Sequence, residues 1–171
     1  MVVFKKIISS HGEIDVLINN ASVVQMKKFE EQDVDIIDSI IDTNLKGTMY
    51  VTHFALPAIL KKKHAHIINI DSVAGTHGIP DQAVYCASKH GVVGFGDVIA
   101  QELIDRGIKV VTICPGGIRT PLWNTETNPY PGDIEKIMDP QEIVDLIDFI
   151  LKQPETTLYK KIILFPANEW H

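Results

Sequence analysis

Four short apolar runs punctuate the chain: Ile14 to Asn19 (IDVLIN), His66 to Asp71 (HIINID), Ile108 to Cys114 (IKVVTIC) and Lys161 to Phe165 (KIILF). Within each run the apolar residues are continuous rather than alternating, the pattern of strands covered on both faces. Between them lie longer segments with helical periodicity: Asp33 to Lys63, Gln82 to Arg106 and Ile134 to Gln153. A helix between successive strands returns the chain to the end of the sheet where it started, so neighbouring strands run parallel. The expected fold class is α/β, a parallel sheet of about four strands with flanking helices.

Local signals mark the boundaries of these elements. Asp33 and Asp81 stand where side chains cap the helices that follow, and Gly107 after Arg106 suits a left-handed stop. Pro115-Gly116-Gly117 breaks the third strand, and Pro57 removes a donor inside the first long helix and kinks or breaks it. No linker, repeat or low-complexity tract divides the chain, so residues 1–171 read as a single domain.

Composition narrows the partners. With 171 residues, 45% of them hydrophobic, the chain can bury one ordinary core. A formal net charge of -6 argues against a nucleic-acid or membrane-surface partner, because phosphate binding needs clustered cations. Cys86 and Cys114 show no paired spacing, which fits a reduced, cytoplasmic setting. The stretch Met1 to Ile8 is too short and its lysines misplaced for a secretory signal, and no run reaches the roughly 18 apolar residues of a membrane helix. His64 and His66 alternate at the start of the second strand without a third ligand nearby, so no metal is assigned.

In an open parallel sheet the ligand crevice lies at the carboxyl ends of the strands. Those ends are small and polar here: Asn19-Asn20-Ala21-Ser22, Asp71-Ser72-Val73-Ala74-Gly75 and Pro115-Gly116-Gly117-Ile118-Arg119-Thr120. Tyr85 and Lys89, four apart at the start of the second long helix, share one face. A free phenol titrates near 10; a neighbouring ammonium favours the phenolate and brings it toward the working range, so Lys89 is expected to tune Tyr85 as a proton donor or acceptor. Ser72, at the neighbouring strand end, can hydrogen-bond a substrate oxygen as charge develops on it. Asn44 is a weak helix former inside the first long helix and asks for a reason; a water between its backbone and Lys89 would connect the site to solvent. Each residue alone has an ordinary reading as a solvated helix face, a turn or a cap, but together, in this order, they form a constellation.

These residues carry a family resemblance. Tyr85-Cys86-Ala87-Ser88-Lys89-His90-Gly91-Val92-Val93-Gly94-Phe95 resembles the active-site helix of the short-chain dehydrogenases/reductases, and Asn19-Asn20-Ala21-Ser22 resembles their Asn-Asn-Ala-Gly motif. Pro115-Gly116-Gly117-Ile118-Arg119-Thr120 is similar to the family's Pro-Gly-x-x-x-Thr loop, which holds the nicotinamide amide and a phosphate. The resemblance implies a Rossmann-like sheet and an NAD- or NADP-dependent oxidoreductase acting on a small-molecule secondary alcohol or ketone. A homo-oligomer is expected because, without the family's opening strand, Ile14 to Asn19 is an unpaired apolar edge that invites pairing with another chain. The resemblance gives Asn44, Ser72, Tyr85 and Lys89 the catalytic roles and Ile118 and Thr120 cofactor contacts. Tyr85 and Lys89 would also lie against the cofactor, Lys89 at the nicotinamide ribose, with Asn19 and Ala21 near the adenosine side. Ser22 stands where the family has glycine.

The family's opening strand and Thr-Gly-x-x-x-Gly-x-Gly loop have no match before Asn19, so the fold is expected to be N-terminally truncated. Cofactor binding by this chain alone is then in doubt, because that loop supplies the helix-terminal anion site. The alternative to an enzyme is a truncated, non-catalytic scaffold or oligomerisation module. Arg119 reads either as a phosphate or carboxylate partner or as a surface salt bridge. His77 and His90 lie near the proposed site in sequence, His90 facing away. Leu122 to Asp133 reads as a lid-like loop, with Trp123 either a substrate wall or simply packed against the last helix.

Overall fold

The computed structural model describes residues 6, 9–10, 12–123 and 128–169. The expectations for Met1 to Ile8 fall almost entirely outside these residues, as do residues 124–127 of the lid-like loop. Four strands, β1 (Val16–Asn19), β2 (Ala65–Ile70), β3 (Ile108–Pro115) and β4 (Lys161–Leu164), form one sheet in the order β1-β2-β3-β4. Every pairing is parallel, with Asn19 opposite Asn69 and Asn69 opposite Thr112. From residue 12 onward, the α-helices among the described residues are α1 (Val34–Ile40), α2 (Thr48–Ile59), α3 (Ala83–Leu103) and α4 (Pro140–Leu151). This is the Rossmann-like parallel sheet with flanking helices that the apolar runs imply.

Because side chains alternate along a strand, successive residues of β2 and β3 serve two cores. Ile67 and Val110 pack with Ala55 and Ile59 of α2 and Ala100 and Leu103 of α3. Ile68, Val111 and Ile113 face the other way, onto Ile150 of α4. Ile67, Ile68 and Ile113 are fully buried, each worth roughly 2–3 kcal/mol of transfer free energy. At the sheet edge, on the face turned from α2, Val16 and Ile18 of β1 remain 36% and 45% exposed.

The helical segments differ from the periodicity in instructive ways. The first is interrupted by a π-helical stretch, Ile41–Gly47, between α1 and α2. Pro57 lies inside α2, which ends two residues later at Ile59. Asp33 occupies the N-cap position of α1 without a side-chain cap bond. Asp81 does not cap α3: its backbone is left-handed, φ 62°, and Gln82 takes the N-cap position. Ile134–Lys136 forms only a short 3-10 turn, and α4 starts at Pro140 behind an Asp139/Glu142 capping box. Gly107 is the left-handed stop expected of it, φ 76°, where a Cβ would strike the carbonyl of Lys63. Among the described residues no helix is long and apolar enough to cross a membrane.

Candidate active site

The polar strand ends converge as the parallel topology requires. β2 delivers Asp71 and Ser72; Ser72 is extended (φ -165°, ψ 159°), and its Oγ accepts the Ala74 N–H at 3.1 Å, capping the 3-10 turn Val73–Gly75. That turn packs against the first part of α3, which carries Tyr85 and Lys89 on its buried face. β3 delivers Pro115 to Thr120. Ser72, Tyr85, Lys89, Ile118 and Thr120 line one cleft of about 830 Å³, together with Ser22, His77, Gln82, Trp123, Tyr130 and Glu169.

The other expected site residues stand elsewhere. Asn44 is buried behind the cleft: its Nδ2 donates to the Val23 carbonyl (2.9 Å) and to Ser88 Oγ (3.1 Å), and its Oδ1 accepts the Val23 N–H (2.8 Å). Ser88 Oγ in turn donates to the Tyr85 carbonyl at 2.7 Å, which ties Asn44 to the active-site helix. The Asn44 carbonyl accepts from Thr48 Oγ1 at 2.8 Å. Widening of the helix to a π turn at a functional position is a recurrent device, and here it surrounds the asparagine that braces the site. Asn19 is likewise an interior brace, its Nδ2 donating to Thr52 Oγ1 (3.0 Å) and Asn69 Oδ1 (2.9 Å). Ala21 lines a second, smaller cavity of about 320 Å³ with Asn20, Thr43 and Val51.

Lys89 Nζ lies 5.5 Å from the centre of the Tyr85 ring. It donates to the Ile70 carbonyl at 3.3 Å and stands 3.8 Å from Asp71 Oδ1. Burial moves the Lys89 ammonium to a lower pKa, with Asp71 opposing. Burial also pushes the Tyr85 phenol up to about 12; the Ser72 hydroxyl opposes this and the Asp71 charge adds to it. In this geometry the phenol moves opposite to the direction expected from Lys89 alone, because desolvation dominates and the Asp71 charge adds to it.

Asp71 is the residue the family motifs did not single out. Its side chain is fully buried, and its carboxyl is pushed up to about 6 by burial, against the pull of Lys89. The signal in the sequence was a carboxylate closing the apolar run HIINID, a residue type rarely buried without a partner. Ser88, the link between Asn44 and α3, carried no such signal.

The secondary candidates also resolve. Arg119 pairs with Glu135 (3.2 Å) and Asp139 (2.9 Å), the surface salt bridge of its two readings. His90 turns back onto the Cys86 carbonyl (2.9 Å), whereas His77 lines the cleft and stacks on Phe165. His64 pairs with Glu155 at 3.1 Å. Trp123 lines the cleft, donates from Nε1 to the Ile118 carbonyl at 3.1 Å and meets Tyr130 edge-on at 4.8 Å.

The donor set fits a nicotinamide nucleotide. The cleft sets an ammonium, two phenols and three aliphatic hydroxyls beside the small backbone of Gly116 and Gly117, where a planar ring can approach. A Cβ on Gly117 would run into Tyr130 and the Glu169 carboxylate.

A parallel sheet with Ser, Tyr and Lys gathered at its carboxyl end defines a dehydrogenase of the Rossmann-like kind. The chain belongs to the short-chain dehydrogenase family: the family's sequence profile, described as short chain dehydrogenase, matches residues 1–131. It is 33% identical over 172 residues to the 3-oxoacyl-(acyl-carrier-protein) reductase of Thermotoga maritima, covering 94% of this chain and 68% of that protein. It is 34% identical to an uncharacterized oxidoreductase of Staphylococcus aureus, over 91% of this chain and 66% of the relative. The chain thus spans about two thirds of the length of these curated relatives. Among solved structures it resembles a metagenomic short-chain oxidoreductase in complex with NADP, with TM-score 0.80, 26% identity and coverage of 97% of this chain and 67% of that one. The ligand-free aldohexose dehydrogenase of Thermoplasma acidophilum gives TM-score 0.82 and 28% identity, over 96% and 70% of the two chains.

Proposed function

We propose that this chain carries the catalytic part of an NAD(P)-dependent oxidoreductase that interconverts a secondary alcohol and a ketone. The observation that carries the reading is the convergence of Ser72, Tyr85 and Lys89 with Ile118 and Thr120 in one cleft. When bound, the nicotinamide supplies or accepts the hydride. In reduction Tyr85 gives its phenolic proton to the carbonyl oxygen, and in oxidation it takes the proton back. Ser72 donates a hydrogen bond to the same oxygen and fixes its position. Lys89 would hold the nicotinamide ribose hydroxyls, Ile118 and Thr120 would hold the carboxamide and a phosphate, Ala21 would stand toward the adenosine, and Asn19 and Asn44 brace the walls. The NADP in the metagenomic relative and the reductase and dehydrogenase names of the others support this cofactor class.

The test is turnover of a ketone panel with NADH and NADPH, wild type against Tyr85→Phe. The variant is expected to lose at least about 100-fold in kcat while keeping its circular dichroism and unfolding midpoint. Retention of most of the activity by a folded Tyr85→Phe would remove Tyr85 from this role.

A further inference from the structure

Next to Ser72, a carboxylate lies inside the protein with nothing in the reaction above to use it. Asp71 directly follows β2, its N–H still bonded to the Ile113 carbonyl of β3 at 2.7 Å, and its side chain is fully buried. One oxygen, Oδ2, accepts from Cys114 Sγ at 3.8 Å; the other, Oδ1, has no hydrogen-bond donor among the described residues and stands 3.8 Å from the Lys89 ammonium. The carboxylate fills the space over Gly75, where a Cβ would collide with Oδ2. Two charges buried side by side without a hydrogen bond between them do not repay their desolvation by attraction alone.

We propose that Asp71 is a positioning residue: its buried carboxylate fixes the Lys89 ammonium beside the Tyr85 ring and, from the same place, opposes a phenolate at Tyr85. The groups facing it agree in sign. Lys89 and His90 of α3, the Cys114 thiol of β3 and the Ser72 N–H favour the carboxylate, while its charge disfavours a phenolate at Tyr85. Two effects follow from one placement. The ammonium is held between Asp71 and the Ile70 carbonyl instead of swinging freely. The carboxylate's own charge disfavours the phenolate, which favours the site as an acid toward a ketone over a base toward an alcohol.

The inference rests on Tyr85 as the proton-exchanging group, so its test reads Tyr85 without turnover. Asp71→Asn is nearly isosteric and Asp71→Ser is smaller; each is titrated by tyrosinate absorbance in the full chain, with Tyr85→Phe versions as spectral blanks. In both folded variants the Tyr85 midpoint is expected to fall by at least about one pH unit, a tenfold rise in phenolate at a given pH. A midpoint within about 0.3 unit of wild type in both variants would overturn the role of Asp71. That result leaves the turnover test of Tyr85→Phe unaffected, so failure of one reading is distinguishable from failure of the other. Where turnover is measured, both Asp71 variants are expected to move the rising, acid-side limb of the alcohol-oxidation profile to lower pH, a change that loss of packing alone does not produce.

Discussion

Asn44 holds Val23 by both of its backbone polar groups, accepting from the N–H at 2.8 Å and donating to the carbonyl at 2.9 Å. The amide thereby acts as a strand partner for a segment that has none, one residue beyond Ser22 at the mouth of the cleft. Asn44→Ala leaves the Val23 pair and Ser88 Oγ short of partners, and is expected to cost on the order of 2–4 kcal/mol in denaturant unfolding. Asn44→Asp keeps the acceptor for the Val23 N–H but turns the bond to the Val23 carbonyl into a repulsion. It is expected to be as damaging as alanine, which a space-filling role for Asn44 does not predict.

Gly75 is the floor on which the Asp71 carboxylate lies. A Cβ there would overlap Asp71 Oδ2 and stand 3.0 Å from both the Lys89 carbonyl and Val93 Cγ2. Two of these neighbours are constrained, one by the backbone of α3 and one by full burial. Gly75→Ala is therefore expected to destabilise by about 1–3 kcal/mol, whereas Gly78→Ala, whose Cβ meets nothing within 4 Å, is expected to be close to neutral. Equal effects at the two positions in urea unfolding would show that Asp71 moves aside freely.

The pH dependence of stability isolates the same carboxylate. Its folded pKa, about 6, lies above the ordinary carboxyl value of 3.8, so the folded state binds the proton more tightly than the unfolded chain. The stability this contributes is present below about pH 4 and is lost as pH rises through about 6. Wild type should thus lose on the order of 3 kcal/mol relative to Asp71→Asn between these limits. His66, whose pKa burial lowers, changes stability in the opposite sense, but it is common to both proteins and cancels in the difference. A flat difference between the two unfolding curves across this window would place the Asp71 proton elsewhere.

The strands and the cleft were legible in the sequence for one reason: a sheet covered on both faces writes continuous apolar runs, and a parallel sheet gathers its strand ends on one side. Those two facts point to the strand ends that carry Ser72, Ile118 and Thr120; Tyr85 and Lys89 are read from their spacing, and Ile118 and Thr120 are singled out by the family resemblance. What periodicity does not contain is the local hydrogen bonding that redirects a helix. The π turn around Asn44 depends on a Val23 backbone that lies 21 residues earlier, and Asn19 turns inward because Thr52 and Asn69 meet it there. Asp81 reads as a cap, yet its left-handed backbone takes it out of the capping position. Asp71 was hidden by its neighbour, since a motif centred on the serine draws no attention to the residue before it. The sign of the Tyr85 shift was beyond reach for the same reason, because it depends on burial and on Asp71 together.

Trp123 joins the two halves of the cleft. Its indole N–H bonds the Ile118 carbonyl at 3.1 Å while its ring meets Tyr130 edge-on at 4.8 Å, with an interplanar angle of 74°. Two substitutions separate these contacts. Trp123→Phe keeps an aromatic face toward Tyr130 and loses the bond to the Ile118 carbonyl; Trp123→Ala loses both. If the ring walls the substrate, alanine should raise KM for the preferred ketone by about 5- to 20-fold and phenylalanine by much less, with KM for the cofactor little changed. If the indole N–H matters more, phenylalanine should weaken the cofactor nearly as much as alanine does. The aromatic pair occupies more of the cleft surface than a single hydrogen bond to a loop carbonyl, and aromatic contacts of this geometry contribute roughly 0.5–1.5 kcal/mol beyond the area they bury. The first outcome is therefore the expected one, and steady-state kinetics on the two variants decides between them.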